Sequence, residues 1–146
     1  MECIVRTFNE LSTDELYQIL RLRIEVFVVE QDCVYQDIDN KDQKALHVLG
    51  IKDNSVVAYT RIFKPGDYFE NASIGRVVVA RDQRQYGYGK AIMKTSLQTI
   101  EARFPKVSVE ISAQSYLLKF YSELGFRPVG EEYLEDGIPH TRMVKN

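Results

Sequence analysis

Arg84, Gly87 and Gly89 carry the clearest chemical signal, spaced as Arg-x-x-Gly-x-Gly within Arg84-Gln85-Tyr86-Gly87-Tyr88-Gly89-Lys90. Ahead of them Ile74, Val77, Val78 and Val79 form an apolar, β-branched run that predicts a buried strand. Behind them Ile92, Met93, Leu97, Ile100 and Phe104 recur at helical spacing until Pro105. Strand, glycine-bearing loop and helix N-terminus together make an anion site. The first turn of a helix has backbone N–H groups without partners, and its dipole favours negative charge there. Glycine lets that backbone approach a phosphate with no side chain in the way.

Two familiar phosphate motifs fail here. A Walker-type loop needs glycine where Arg84 stands and a hydroxyl where Ala91 stands. A dinucleotide fingerprint needs a third glycine in place of Ile92. Composition narrows the field further. A chain of 146 residues, 45% hydrophobic and 27% charged, suits a single cytoplasmic globular domain. The net charge of −2, with no clustered Lys/Arg tract, argues against nucleic acid as a partner. No run approaches the ~20 apolar residues of a membrane span, and MECIVRTFNE does not read as a secretory signal. Cys3 and Cys33 make neither a metal site nor an expected disulfide.

The remaining elements must position that loop. Residues 3–8 predict a first strand. Ser12-Thr13-Asp14-Glu15 has the form of a capping box, and Leu16, Ile19, Leu20, Ile24 and Phe27 predict a helix to about Val28. From Glu30 to Asp42 the chain is acidic and irregular, and lacks the Gly and Glu of a calcium loop. Its charges are either solvated or wall a site that attracts a cationic amine. Residues 45–51 and 56–63 flank Asp53-Asn54-Ser55 as a hairpin. Val107–Ser112 alternates with Glu110 on its polar face, Ser115–Gly125 predicts a short helix, and residues 128–134 and 140–145 predict two closing strands.

In that order of elements the glycine loop resembles the R/Q-x-x-G-x-G/A pyrophosphate motif of the GNAT acyl-CoA N-acyltransferase superfamily. Phe120-Tyr121-x-x-x-Gly125-Phe126, about 30 residues on, resembles the superfamily's FYxxxGF helix. The chain is also similar to the ElaA-like branch at Arg23-x-x-Val26-Phe27-Val28-x-Glu30-Gln31, His47, Gly75-Arg76-Val77, Ala113-Gln114 and Leu134-Glu135-Asp136-Gly137-Ile138-Pro139-His140. The resemblance implies an α/β (α+β) GNAT-type fold over residues 1–146. Its mixed, mostly antiparallel sheet of six or seven strands is flanked by helices and has splayed central strands. It implies acetyl-CoA as co-substrate, no metal, and a small-molecule or peptide amine as acceptor. A homodimer is compatible with it.

By that resemblance the Val77, Val78 and Val79 backbone binds the pantetheine arm. The amides of Arg84, Gln85, Tyr86, Gly87, Tyr88, Gly89 and Lys90 hold the pyrophosphate, with Gln114 and Tyr121 also at the cofactor. Two protons must move. An aliphatic amine of pKa ~10.4 costs roughly 4–5 kcal/mol to deprotonate at pH 7. The leaving thiolate then takes a proton, a step worth about 10²–10⁴-fold when a side chain supplies it. The resemblance assigns that acid to Tyr121. His140, His47 and Glu110, with Asp136 behind them, are the candidate bases. Arg76, His47, Glu30 and Arg23 are candidate acceptor contacts, with Arg76 and Arg23 equally suited to salt bridges. The alternative to an enzyme is a silent acyl-CoA-binding module.

Overall fold

A computed structural model describes residues 1–146. Its strands are β1 (Glu2–Thr7), β2 (Leu46–Lys52), β3 (Ser55–Phe63), β4 (Ala72–Val79), β5 (Val109–Gln114), β6 (Arg127–Pro128), β7 (Tyr133–Glu135) and β8 (Ile138–Lys145). They form one sheet in the order β1-β2-β3-β4-β5-β8-β6, with β7 also on β8. Eight strands stand where six or seven were expected, because two are only two and three residues long. All pairings are antiparallel except β4 with β5. The β2–β3 turn has Asp53 at φ 51 and Asn54 at φ 63, the two left-handed residues that match the twist of a tight hairpin.

Helix α1 (Thr13–Ile24) opens with the expected capping box: Glu15 N–H donates to Ser12 Oγ at 3.0 Å, and Ser12 N–H to Glu15 Oε1 at 2.9 Å. It buries Ile19 and Leu22, with Val26 beyond its end, against Leu49, Tyr59 and Val78 on one face of the sheet. The α-helix ends at Ile24, short of Val28, and continues as a π-helical stretch, Glu25–Glu30. Its wider turn, marked by Gln31 N–H donating to Val26 O at 3.1 Å, keeps Val26 in the core while Gln31 reaches β5. Helices α2 (Tyr88–Arg103) and α3 (Leu118–Glu123) cover the other face, where Ile92, Met93, Ile100 and Tyr121 pack on Val48, Ala58, Ile62, Ile74, Ile111 and Met143. No helix is long and apolar enough to cross a membrane.

Two features of β4 open the middle of the sheet. Its parallel pairing with β5 consists of Ala72↔Val109 and Ser73↔Glu110 only. On its other side, Arg61 pairs with Gly75 and Tyr59 with Val78, so β4 carries one residue more than β3 between the same rungs. That residue is in a bulge that holds Arg76 at φ 50. Beyond it β4 and β5 part as a wedge, the splay that the resemblance implies.

The acidic loop is neither simply solvated nor an open wall. Arg23 is fully buried and all three of its nitrogens are engaged: Nε with Asp37 Oδ2 at 2.9 Å, Nη1 with Asp42 Oδ1 at 2.9 Å, and Nη2 with Asp37 O at 2.8 Å. Arg61, also buried, holds Asp39 at 2.6 Å and Asp42 at 2.9 Å. Arg76 Nε lies 2.8 Å from Asp37 Oδ1, close enough for charge pairing though not aligned for a straight hydrogen bond. Three arginines thus neutralise three aspartates, and the loop is tied to α1, β3 and the β4 bulge. Burial works against ionised Asp39, yet the Arg61 hydrogen bond and the charges of Arg61 and Arg76 bring its carboxyl down to about 2. Burial pushes the His47 imidazole below its ordinary value.

Both groups have lower pKa values in the folded chain than in the unfolded one, so the unfolded chain binds more protons as pH falls. Stability should therefore decline first below about 6.5, from His47, and again between about 4 and 2, from Asp39. Urea titrations across that range check both steps, and His47→Gln should remove the first. Arg23→Met leaves Asp37 to Arg76 and Asp42 to Arg61, with one buried negative charge unmatched, and should cost about 3–5 kcal/mol in the same assay.

Candidate active site

The glycine loop is a 3₁₀ turn, Arg81–Tyr86, followed by Gly87 at φ 74, ψ 21 and the start of α2. The two glycines serve different needs. A Cβ at Gly87 would meet nothing within 4 Å, so its backbone conformation, not space, asks for glycine. Gly89 has an ordinary helical conformation, and a Cβ there would make only normal contacts, 3.5 Å from Phe120 Cζ and 3.8 Å from Val79 Cγ2. What the missing side chain leaves open is the approach to the helix terminus. No side chain caps α2 and no acidic residue stands in its first turn. Ala91 N–H makes the first bond back, to Gly87 O at 3.2 Å. The amides before it are therefore not consumed by the helix itself.

The wedge delivers strand backbone to the same place. Ala80 N–H donates to Val57 O at 2.8 Å, so by strand alternation Val78 turns its backbone groups to β3 while Val77 and Val79 turn theirs to the wedge. Arg84 Nε donates to Val79 O there at 3.2 Å. Arg84 also clamps Glu30 through both guanidinium ends, at 2.6 and 2.9 Å. That hydrogen bonding holds the Glu30 carboxyl below its usual range and raises Arg84. Glu30, expected at the acceptor, is therefore engaged at the phosphate loop. Gln85, Tyr86 and Lys90 are exposed and Tyr88 is half-buried, with Lys52 Nζ 4.1 Å from the Tyr86 ring centroid. Gln114, at the end of β5, exchanges amide hydrogen bonds of 3.2 and 3.3 Å with Gln31.

Tyr121 lies 5% exposed among Phe120 and Phe126, where burial raises its hydroxyl and no hydrogen bond contributes. Like any phenol it is protonated at neutral pH, as a proton donor must be, while burial makes it a weaker acid than an exposed tyrosine. The other predicted residues are placed less as expected. His47 is buried, with Nδ1 2.6 Å from Tyr59 Oη and Nε2 2.9 Å from Asp42 O, and so belongs with Arg23 to the buried network. Arg76 is on the bulge beside the wedge but is held by Asp37 and Asp39. Glu110 sits at the wedge's closed end, where Asn71 Nδ2 donates to it at 3.2 Å and Arg142 grips it at 2.9 Å. A carboxylate so saturated is poorly placed as a base. Asp136 is a turn residue, at φ 51 before Gly137.

His140 pairs with Gln114 at the open end of β5. Its Nδ1 is 2.7 Å from Ile138 O and its Nε2 3.3 Å from Glu135 Oε2. Sequence reasoning missed the company it keeps. In the β5–β8–β7 register, Ser112, Gln114, His140, Arg142, Tyr133 and Glu135 share the sheet face on the α1 side. The helix covers the β2–β4 half of that face, which leaves a polar surface beside the wedge. Tyr133 hydrogen-bonds Ser112 Oγ, and Ser112 donates to Glu135 Oε1 at 3.2 Å. The alternating polar residues at 110, 112 and 114 and at 140 and 142 held the signal, but only the register joins the two sets.

A domain described as Acetyltransferase (GNAT) matches residues 9–146. Protein ElaA of Escherichia coli K12 is 45% identical over 139 residues, covering 94% of this chain and 91% of that protein. The crystal structure of Escherichia coli ElaA superposes with a TM-score of 0.93 at 42% identity, with both chains fully covered. An acyl-CoA N-acyltransferase from Pseudomonas aeruginosa does so at 0.94 and 37%, again over all of both chains. A GNAT acetyltransferase of Elizabethkingia anophelis, solved with acetyl-CoA bound, shares the fold at a TM-score of 0.65 and 18% identity, over 98% of this chain and 94% of its own. The chain belongs to the GNAT acetyltransferase family, in its ElaA-like branch. It is an acyltransferase by fold and by family.

Gly89→Asp should leave the melting temperature within about 2 °C of the parent, since the helix has room for a Cβ, yet abolish CoA binding by isothermal titration. Gly87→Ala should instead cost about 1–2 kcal/mol of stability for its left-handed backbone. A Gly89→Asp protein that binds CoA like the parent would remove the phosphate assignment from this loop.

Proposed function

We propose that this protein transfers the acetyl group of acetyl-CoA to a primary amine by direct attack. The observation that carries the reading is the convergence of two sets of unspent backbone groups, the α2 terminus behind Gly87 and, on the open side of β4, the Val77 groups and the Val79 N–H, the Val79 carbonyl being taken by Arg84. The first suits a pyrophosphate. The second suits an arm that carries amides of its own. The thioester of acetyl-CoA bound along them supplies the acyl group.

Tyr121 and the His140–Glu135 pair divide the proton work. The amine nitrogen adds to the thioester carbonyl carbon and the C–S bond breaks. The sulfur leaves with the bonding electrons and takes the Tyr121 hydroxyl proton. The amine gives up its proton to the His140–Glu135 pair. With Nδ1–H turned to Ile138 O, the Nε2 lone pair faces a carboxylate oxygen, and one added proton turns that contact into a hydrogen-bonded ion pair. Return of that proton to Tyr121 through solvent resets both groups and leaves amide and free thiol; an acceptor that arrives as its ammonium form has already lost one further proton to water before attack.

Release of free thiol from acetyl-CoA with a panel of amines tests the reading directly. Binding of CoA with no thiol release from any amine would leave an acyl-CoA-binding module. Tyr121→Phe keeps the packed ring and should lower kcat about 10²-fold. His140→Gln should lower turnover in the same assay while leaving CoA binding unchanged.

A further inference from the structure

We propose that Arg142 binds a carboxylate on the acceptor, so that the acetylated amine belongs to an amino acid or a similar carboxylate-bearing amine. This rests on the acetyltransferase reading and names its substrate class. The guanidinium is held side-on by one partner: Nε lies 2.9 Å from Glu110 Oε2, and Nη2 donates to Glu110 Oε1 at 3.1 Å. Nη1 has no partner, and the side chain is 46% exposed. Glu110 is itself buried and takes a further bond from Asn71, so it acts as a fixed mount for the arginine. One edge of a planar fork is immobilised, and the rest of the guanidinium is left accessible on a half-exposed side chain. That is the geometry in which arginine receives a second carboxylate.

Charge on the rest of the surface points the same way. Arg23, Arg61 and Arg76 are matched by Asp37, Asp39 and Asp42, and Arg84 is clamped to Glu30. Arg76 also leaves Nη1 without a partner, but its side chain is 18% exposed against 46% for Arg142, whose free edge is the more accessible one on this face. Its strand neighbour across the register is Ser112, so it stands one strand spacing, about 4.8 Å, from the β5 edge of the wedge. Glu135, half-exposed on β7, offers the opposite charge on the same face. A cation and an anion on one face complement a zwitterion, whereas a polyamine would meet Arg142 unfavourably.

The test uses sets of three amines that keep one reacting nitrogen: an amino acid, its carboxamide and its decarboxylated amine, for example lysine, lysinamide and cadaverine. In the parent the acid should exceed the other two at least about 10-fold in kcat/KM for thiol release. Arg142→Gln should raise the KM of the acid and shrink that preference to less than about 2-fold, with the KM for acetyl-CoA little changed. Arg142→Lys, which keeps the charge without the fork, should fall between them. Calorimetric binding of the same three amines to CoA-loaded protein gives a readout independent of turnover. Preferential binding of the acid, lost in Arg142→Gln but without thiol release in the parent, would keep this role for Arg142 and discard acetyl transfer. Equal binding of the three amines by the parent, or an acid preference that survives Arg142→Gln, would overturn the proposal.

Discussion

Strands β4 and β5 hold each other over two residue pairs and no more, and the candidate site depends on that short contact. A parallel pair that continued would consume the backbone groups of both strands in its ladder. The extra residue at the β4 bulge prevents this by turning the strand away after Gly75. Arg76 occupies the bulge in a left-handed conformation that costs a side-chain-bearing residue about 1–2 kcal/mol. Its guanidinium is held by Asp37 and Asp39, so the strained backbone and the buried charges stabilise one another. The separation of the strands is thus built into the resting fold.

The charge network explains how an irregular acidic loop keeps a defined position. Buried ion pairs contribute little net stability against an apolar alternative, but removing one partner is costly. Arg23 on α1, Arg61 on β3 and Arg76 on β4 each demand an aspartate at one spot, and the loop between α1 and β2 supplies all three. The loop is fixed by matching charges where it has few apolar residues to bury. Through Arg76 it lies against the β4 bulge beside the wedge. The Glu30–Arg84 clamp and the Gln31–Gln114 amide pair tie the end of α1 to both sides of the wedge.

Local signals made much of this legible in advance. The capping box at Ser12, the Asp53-Asn54 turn, the glycine loop and the apolar stripe of α2 are each decided within a few residues. The acceptor side is not. Arg23, His47 and Arg76 have residue types suited to binding, and whether they face a ligand or a neighbour depends on partners up to 39 residues away. Arg61 interrupts an otherwise apolar strand, which marks a buried charge without naming the aspartates that match it. Arg142 gains its meaning only from Glu110, 32 positions earlier, through the β5–β8 register. Periodicity gives the face that a residue shares with its own strand, and not which strand lies beside it.

An unpaired strand edge normally lies at the rim of a sheet, where proteins blunt it with charge, bulges or a covering loop to avoid sticking to one another. Here two such edges face inward, in the middle of the sheet. They are too divergent to pair with each other, and because the wedge is closed at one end a strand from another molecule cannot slide through it. The fold thus keeps hydrogen-bonding backbone available to a slender guest while denying it to a second sheet. The same parting of two strands that opens a site also guards it against aggregation.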